Sequence, residues 1–268
     1  QPAEFAKLAL TCFLASYFTR RYDEVRGKKF SAAKPFIVMG VLGIFLLAQP
    51  DLGSTVVLFV ITFGMLFIVG ANFWQFILLI GTGILLFVWL VLSASYRLKR
   101  FTGFLEPFKD PYGTGFQLTN SLMAFGRGEI SGEGLGNSIQ KLDYLPEAHT
   151  DFIMAIIGEE FGFIGILVVV ILLGLLIFRA MKIGRESLML EQRFRGFFAL
   201  GISFWIFFQG FVNLGMALGM LPTKGLTFPL VSYGGSSIII MSATVGILLR
   251  IDHENRLQRG GQARLRDD

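Results

Sequence analysis

Apolar residues in this chain gather into long runs broken at a few sharply polar places, with little of the alternation expected of strands. Seven runs approach the roughly 20 apolar residues that a helix needs to cross a bilayer's hydrocarbon core. They lie at about 3–19, 35–50, 53–70, 74–94, 152–178, 196–219 and 230–249. The first is short and carries Glu4 and Lys7 near its start. The second and third meet at Gln49-Pro50-Asp51-Leu52-Gly53, where a proline and a polar pair predict a tight turn at a membrane surface. The pattern predicts an all-α fold, a polytopic transmembrane helix bundle with seven spans.

Composition supports lipid as the solvent. Hydrophobic residues make up 53% of the 268 and charged residues only 16%, against roughly 25% charged in soluble proteins. That is more apolar surface than one globular core of this size could hide from water. Cys12 is the single cysteine, which excludes an intrachain disulfide and argues against a cysteine-held metal. The net charge of +5 reads first as orientation, so no nucleic-acid partner is expected. Arg20, Arg21, Arg26, Lys28, Lys29 and Lys34 fill one link, and Arg179, Lys182, Arg185, Arg193 and Arg195 another. Arg250, Arg256, Arg259, Arg264 and Arg266 fill the tail, so these segments hold 16 of the 24 basic residues. Seven spans put all three on one side, predicted to be the cytoplasm. The stretch 95–151 and the link near 219–229 then face outward. The first residue also falls outside, so an odd number of spans is expected upstream. The transmembrane core is expected over 1–251 and a solvated cytoplasmic tail over 252–268.

The outer stretch 95–151 is too long for a plain connection. Its aromatics, among them Phe101, Phe104, Phe108, Tyr112, Phe116 and Phe125, predict a loop that folds back on the membrane face. It ends in Leu145-Pro146-Glu147-Ala148-His149-Thr150-Asp151-Phe152, directly before an apolar helix. Thr150 or Asp151 is placed to cap that helix. Asp151 is equally a carboxylate at the outer surface that could take a proton from a hydroxyl, and the two roles are compatible. Glu159 and Glu160 come about 12 Å further along the helix, inside the apolar layer. There they would lock helices together or line a cavity. Glu4 and Lys7 are one helical turn apart and can pair, unless Lys7 faces an anionic substrate. Before the last span, Leu221-Pro222-Thr223-Lys224-Gly225-Leu226-Thr227-Phe228-Pro229-Leu230-Val231-Ser232-Tyr233-Gly234-Gly235-Ser236-Ser237 predicts a broken, re-entrant approach to a helix. Its amides could receive a phosphate near Lys224, or its small residues could simply allow close packing.

Taken together these blocks resemble the SEDS family of shape, elongation, division and sporulation proteins. The resemblance rests on Gln1-Pro2-Ala3-Glu4-Phe5-Ala6-Lys7, Ala48-Gln49-Pro50-Asp51-Leu52-Gly53 and Ser121-Leu122-Met123-Ala124-Phe125-Gly126-Arg127-Gly128. It continues through Leu145 to Phe152, Gly158-Glu159-Glu160 and Leu221 to Ser237, in family order along nearly the whole chain. Gly134-Leu135-Gly136-Asn137-Ser138 and Thr223-Lys224-Gly225-Leu226-Thr227 look more like the division branch than the elongation branch. The family has ten membrane helices, so this chain looks like the fourth to the tenth.

The resemblance implies a peptidoglycan glycosyltransferase in the bacterial cytoplasmic membrane, acting at the septum on its outer face. It would polymerise lipid II, the undecaprenyl-pyrophosphate-linked disaccharide-peptide, into glycan strands. Asp151 matches the acidic residue considered catalytic in the family. His149, Thr150, Ser232, Tyr233, Gly234, Gly235 and Ser236 fall in the matching substrate-side blocks. The pyrophosphate leaving group calls for positive charge, with Lys7, Lys224 and Arg127 as candidates, or for a divalent cation, Mg or Mn. No organic cofactor is expected. A class B penicillin-binding transpeptidase and other division proteins are the implied partners. A lipid II flippase, its path lined by Glu4, Lys7, Glu159 and Glu160, and a membrane scaffold are the competing readings.

Overall fold

The computed structural model describes residues 1–27, 33–71, 73–93, 103–222 and 225–267. Among them there are helices and turns and no strand. The apolar runs become α1 (Pro2–Arg20), α3 (Ala33–Ala48), α4 (Leu52–Val69), α5 (Phe73–Leu92), α7 (Ile153–Met189), α8 (Arg193–Ala217) and α9 (Gly235–Asp267), joined by a short α2 (Tyr22–Gly27) and by α6 (Phe116–Gly128). Four of these contain stretches long and apolar enough to cross a membrane by length and composition: Leu52–Val69, Ile153–Met189, Arg193–Ala217 and Gly235–Gly260. Apolar stretches in α3 and α5 are shorter, Lys34–Ala48 and Phe76–Leu86. The predicted turn at Pro50 is present. Asp51 caps α4 by accepting from the Ser54 amide at 2.9 Å, and the helix stops at Gly70 in the left-handed conformation.

The chain divides into two compact units. The first comprises Gln1–Ile80, Leu175–Phe207 and Ile239–Asp268. Here α1 packs on α3 and α4, and α8 approaches them closely over glycine. The Phe204 ring occupies the space a Cβ would take on Gly64, and Met65 and Thr11 do the same at Gly201. Glycines at such crossings let helices approach where lipid offers no hydrophobic drive for association. Glu4 and Lys7 pair within this packing at 2.6 Å, with the ammonium 5.6 Å from the centroid of the buried Trp205 ring. Lys7 is fully buried. A charge so far from water needs a counter-charge, and Glu4 supplies it. The substrate-facing alternative for Lys7 is therefore replaced by the paired one.

The expected solvated tail begins later than 252. Helix α9 continues without interruption through that position, and Asp252, Asn255 and Arg259 lie on one face at spacings of three and four. Arg179 reaches Asp252 at 3.3 Å, Arg259 reaches Glu186 at 3.1 Å, and Arg195 pairs with Glu254. Asn255 and Ser187 exchange hydrogen bonds beneath them. Charges of both signs, which in sequence suggest a free end, are used here to fasten one helix to two others.

The second unit comprises Gly81–Gly174 and Phe208–Ile238. Its core is small and built by the loop before α7: Ala124 of α6, Leu145, Ala148 and Phe152 of the following turn, Ala155 and Ile156 of α7, and Ala217 of α8, with Phe125 packed alongside. Alanines at three of the helical positions let the backbones approach closely, and hydrogen bonds secure the contact. Ser121 donates to the Ala217 carbonyl at 2.7 Å and Asn120 to that of Tyr144 at 3.1 Å. The loop is folded, as its aromatic content predicts. Phe101 lies outside the described residues.

Helix α7 departs from the expected single span. It breaks at Gly162, whose φ of 64° and ψ of −161° belong to a region open essentially only to glycine. A Cβ there would meet the Ile130 carbonyl oxygen at 2.4 Å. The amides and carbonyls released by the break are taken up by residues 129–134 of the loop. Glu133 and Gly134 donate to the Glu159 and Glu160 carbonyls at 3.0 and 2.9 Å, and Phe163 and Ile164 donate back to Glu129 and Ile130 at 2.9 and 3.2 Å. The uninterrupted apolar run then starts at Phe163. Residues 154–156 and 158–160, Glu159 and Glu160 among them, are buried.

Candidate active site

Asp151 sits at the end of a tight turn whose geometry follows from Pro146 and Glu147. Glu147 has a φ of 58°, and its carbonyl accepts from three successive amides: Thr150 at 3.2 Å, Asp151 at 3.1 Å and Phe152 at 3.2 Å. Thr150 turns its hydroxyl to the Glu147 carboxylate at 2.7 Å. The hydroxyl therefore closes the turn.

The turn is clamped by a second segment, 225–234. The Tyr233 amide donates to the His149 carbonyl at 2.9 Å, and the Ser232 hydroxyl donates to the carbonyl of Thr150. Asn213 of α8 donates through Nδ2 to the Asp151 carbonyl at 2.8 Å. Three consecutive carbonyls are thus held from outside the turn. Their side chains stay accessible: His149 is exposed, and Thr150 and Asp151 are half-buried. The Asp151 carboxylate lies over Gly225, with Oδ2 3.1 Å from where a Cβ would stand. This is a half-buried carboxylate on a backbone with little freedom, the arrangement a general base needs.

The segment that holds it is the predicted re-entrant approach. It is non-helical up to α9, which opens at Gly235. Gln209 donates to the Thr227 carbonyl at 2.9 Å, Thr227 and Ser237 share a hydrogen bond at 3.0 Å, and Ser232 accepts from the Phe228 amide at 2.6 Å. Ser232 is 1% exposed with its hydroxyl committed on both sides. It is a bridge between two segments and not a ligand for phosphate, since a buried hydroxyl between two backbone groups is worth most where it is. Tyr233 is 75% exposed, Gly234 and Ser236 are half-buried, and Gly235 faces open space. Lys224 lies outside the described residues.

Arg127, Glu159 and Glu160 form a separate lock in the same unit. Glu159 is 0% exposed and accepts from Arg127 Nη1 at 3.0 Å, from the Ile139 and Gln140 amides at 3.1 and 3.2 Å, and from the Ser138 hydroxyl. Glu160 pairs with Lys141 at 2.6 Å. Glu133 stands 3.8 Å from Arg127 on its other side. Arg127 is thus engaged by carboxylates, and the buried Glu159 has that guanidinium as its counter-charge. Among the described residues no three His, Cys, Asp or Glu side chains converge as a metal-holding group.

Asn213, Gln209, Ser138 and Gly225 are the residues that the sequence pattern did not single out. For the first two a signal exists: two carboxamides one helical turn apart in an otherwise apolar span. Ser138 and Gly225 carry none, because their importance comes from what folds against them.

The sequence profile of the FtsW, RodA and SpoVE family, described as "Cell cycle protein", matches residues 1–257. The chain is 88% identical over 268 residues to the "Probable peptidoglycan glycosyltransferase FtsW" of Haemophilus influenzae Rd, and 84% identical to that of Pasteurella multocida Pm70. In both cases all of this chain and 68% of the relative are covered. A relative of the same name from Escherichia coli O6:H1 is 57% identical over 259 residues, covering 97% of this chain and 63% of the relative. A solved structure described as "Structural coordination of polymerization and crosslinking by a peptidoglycan synthase complex" matches with a TM-score of 0.75 and 30% identity, over 95% of this chain and 70% of that one. The crystal structure of the Thermus thermophilus rod shape determining protein RodA matches with a TM-score of 0.63 and 28% identity, over 95% and 66%.

Proposed function

The chain belongs to the FtsW, RodA and SpoVE family of cell cycle proteins, and from that membership and the clamped Asp151 turn we propose that it is the peptidoglycan glycosyltransferase of cell division, with lipid II as substrate. It is a multi-pass membrane protein, and the charge distribution supports an active face outside the cytoplasm. The acceptor's GlcNAc 4-hydroxyl attacks the anomeric carbon of the donor MurNAc as the bond to undecaprenyl pyrophosphate breaks. Asp151 receives the hydroxyl proton, and the diphosphate leaves with the electron pair. A single presented carboxylate suits this displacement, which needs no covalent sugar intermediate. Lys224, adjacent in the chain to the Gly225 beneath Asp151, is the proposed cation for the pyrophosphate. A class B penicillin-binding transpeptidase is the proposed partner, in keeping with the synthase complex this chain matches.

The observation that carries the reading is the Asp151 carboxylate held over Gly225 by three clamped carbonyls. Its test is the full-length protein, with the transpeptidase, on purified fluorescent lipid II: a ladder of glycan polymer is expected on a gel. Labelled lipid II crossing between vesicle leaflets with no polymer formed would support a flippase instead. The four ionisable residues a flippase path would use are already engaged, Glu4 with Lys7, Glu159 with Arg127 and Glu160 with Lys141.

Gly225 gives a second test. A Cβ at this position displaces the carboxylate by a few tenths of an ångström, and a branched side chain displaces it further. Gly225→Val is expected to slow initial polymerisation by about 10-fold, and Gly225→Ala by about 2-fold. Equal rates for both variants and wild type would mean that the carboxylate's position is immaterial.

A further inference from the structure

Asn213 lies on α8, fully buried, in a span whose other residues are mostly apolar. Its Nδ2 donates to two carbonyls, Asp151 at 2.8 Å and Leu226 at 2.5 Å. One carboxamide thus ties two segments together. The Ala155 amide, which a regular helix would aim at the Asp151 carbonyl, donates instead to Phe152 at 2.9 Å. Leu226 lies in the non-helical segment, where no ladder partner is at hand. The two carbonyls also flank the reacting group, because Gly225, beneath the Asp151 carboxylate, immediately precedes Leu226. The orientation of the amide follows from these bonds: turned over, it would set its oxygen against two carbonyl oxygens. Its Oδ1 has no hydrogen-bond partner among the described residues, so the donor end alone fixes the side chain.

We propose that Asn213 is the positioning residue for Asp151, one carboxamide setting the separation between the turn that carries the carboxylate and the segment that underlies it. The inference rests on the reading of Asp151 as the base. It goes beyond that reading by assigning the geometry of the base to a residue that itself meets no substrate. A shift in that separation moves the point at which an acceptor hydroxyl can surrender its proton, while the surfaces that bind lipid II are unchanged.

The test compares Asn213→Leu, close in size and without donors, with Gln209→Leu, which loosens the same segment one helical turn away at Thr227. Both are made in the full-length protein in nanodiscs with the transpeptidase, and kcat and KM are measured on purified lipid II. Asn213→Leu is expected to lower kcat by roughly 10- to 100-fold with KM within about twofold, and Gln209→Leu to lower kcat by less than about threefold. An Asn213→Leu kcat within threefold of wild type, a loss carried by KM, or an equal loss in Gln209→Leu overturns the proposal. If Asn213→Leu does not fold, Asn213→Ser is followed by hydrogen exchange: faster exchange confined to 147–156 and 225–231 supports it, and unchanged exchange there overturns it. Asp151→Asn in the same assay separates the two levels. An inactive Asp151→Asn beside a normal Asn213→Leu sinks only the positioning role, and an active Asp151→Asn sinks the reading beneath it.

Discussion

Asp151→Asn is expected to lower kcat for glycan polymerisation by about 10²–10⁴-fold, the range for loss of a positioned general base, and to leave lipid II binding and the melting temperature within error. The reasoning is local. The bonds that build the turn are made by the Asp151 amide and carbonyl, to Glu147 and Asn213, and asparagine keeps both. The acceptor for the hydroxyl proton is lost. Initial rates on purified lipid II, with binding measured separately in nanodiscs, check this. A variant whose rate loss is matched by lost binding would assign Asp151 to substrate recognition instead of proton transfer.

The second large effect falls on stability. Glu159→Ala removes the acceptor for one guanidinium, one hydroxyl and two backbone amides at once. Losing one member of a buried ion pair costs roughly 3–5 kcal/mol. The lower end applies here, since Arg127 is 37% exposed and can turn to water or to Glu133. The loss should appear as a lower melting temperature and as faster hydrogen exchange over 129–144, the loop that the carboxylate secures. Glu159→Gln, retaining one carbonyl acceptor in the same shape, should fall between. Unchanged exchange in Glu159→Ala would mean that the backbone bonds across the Gly162 break hold the loop without it.

The long helices were legible because lipid imposes a crude rule: about 20 apolar residues in a row can do little else. Their ends were legible where a strong local signal exists, as at Asp51, which caps α4, and at Gly235, where α9 opens. The break at Gly162 was not, since a glycine within an apolar run is ordinary and its role depends on a loop 30 residues earlier. For the same reason the pairing of Glu159 with Arg127 could not be read from either segment alone. Each is intelligible only when 128–141 is folded against 158–164. Asp151 stood out in sequence because a carboxylate before an apolar helix is a local pattern, and the family resemblance converged on it. Asn213 and Gly225, which determine where that carboxylate stands, act through contacts distant in the chain.

The central claim is that this chain joins lipid II units through the Asp151 carboxylate. The glycan ladder formed from purified lipid II by the full-length protein and its transpeptidase, wild type and Asp151→Asn side by side, tests it most directly. A ladder from wild type and unreacted lipid II from the variant is the result predicted; equal ladders from two equally folded proteins would contradict it.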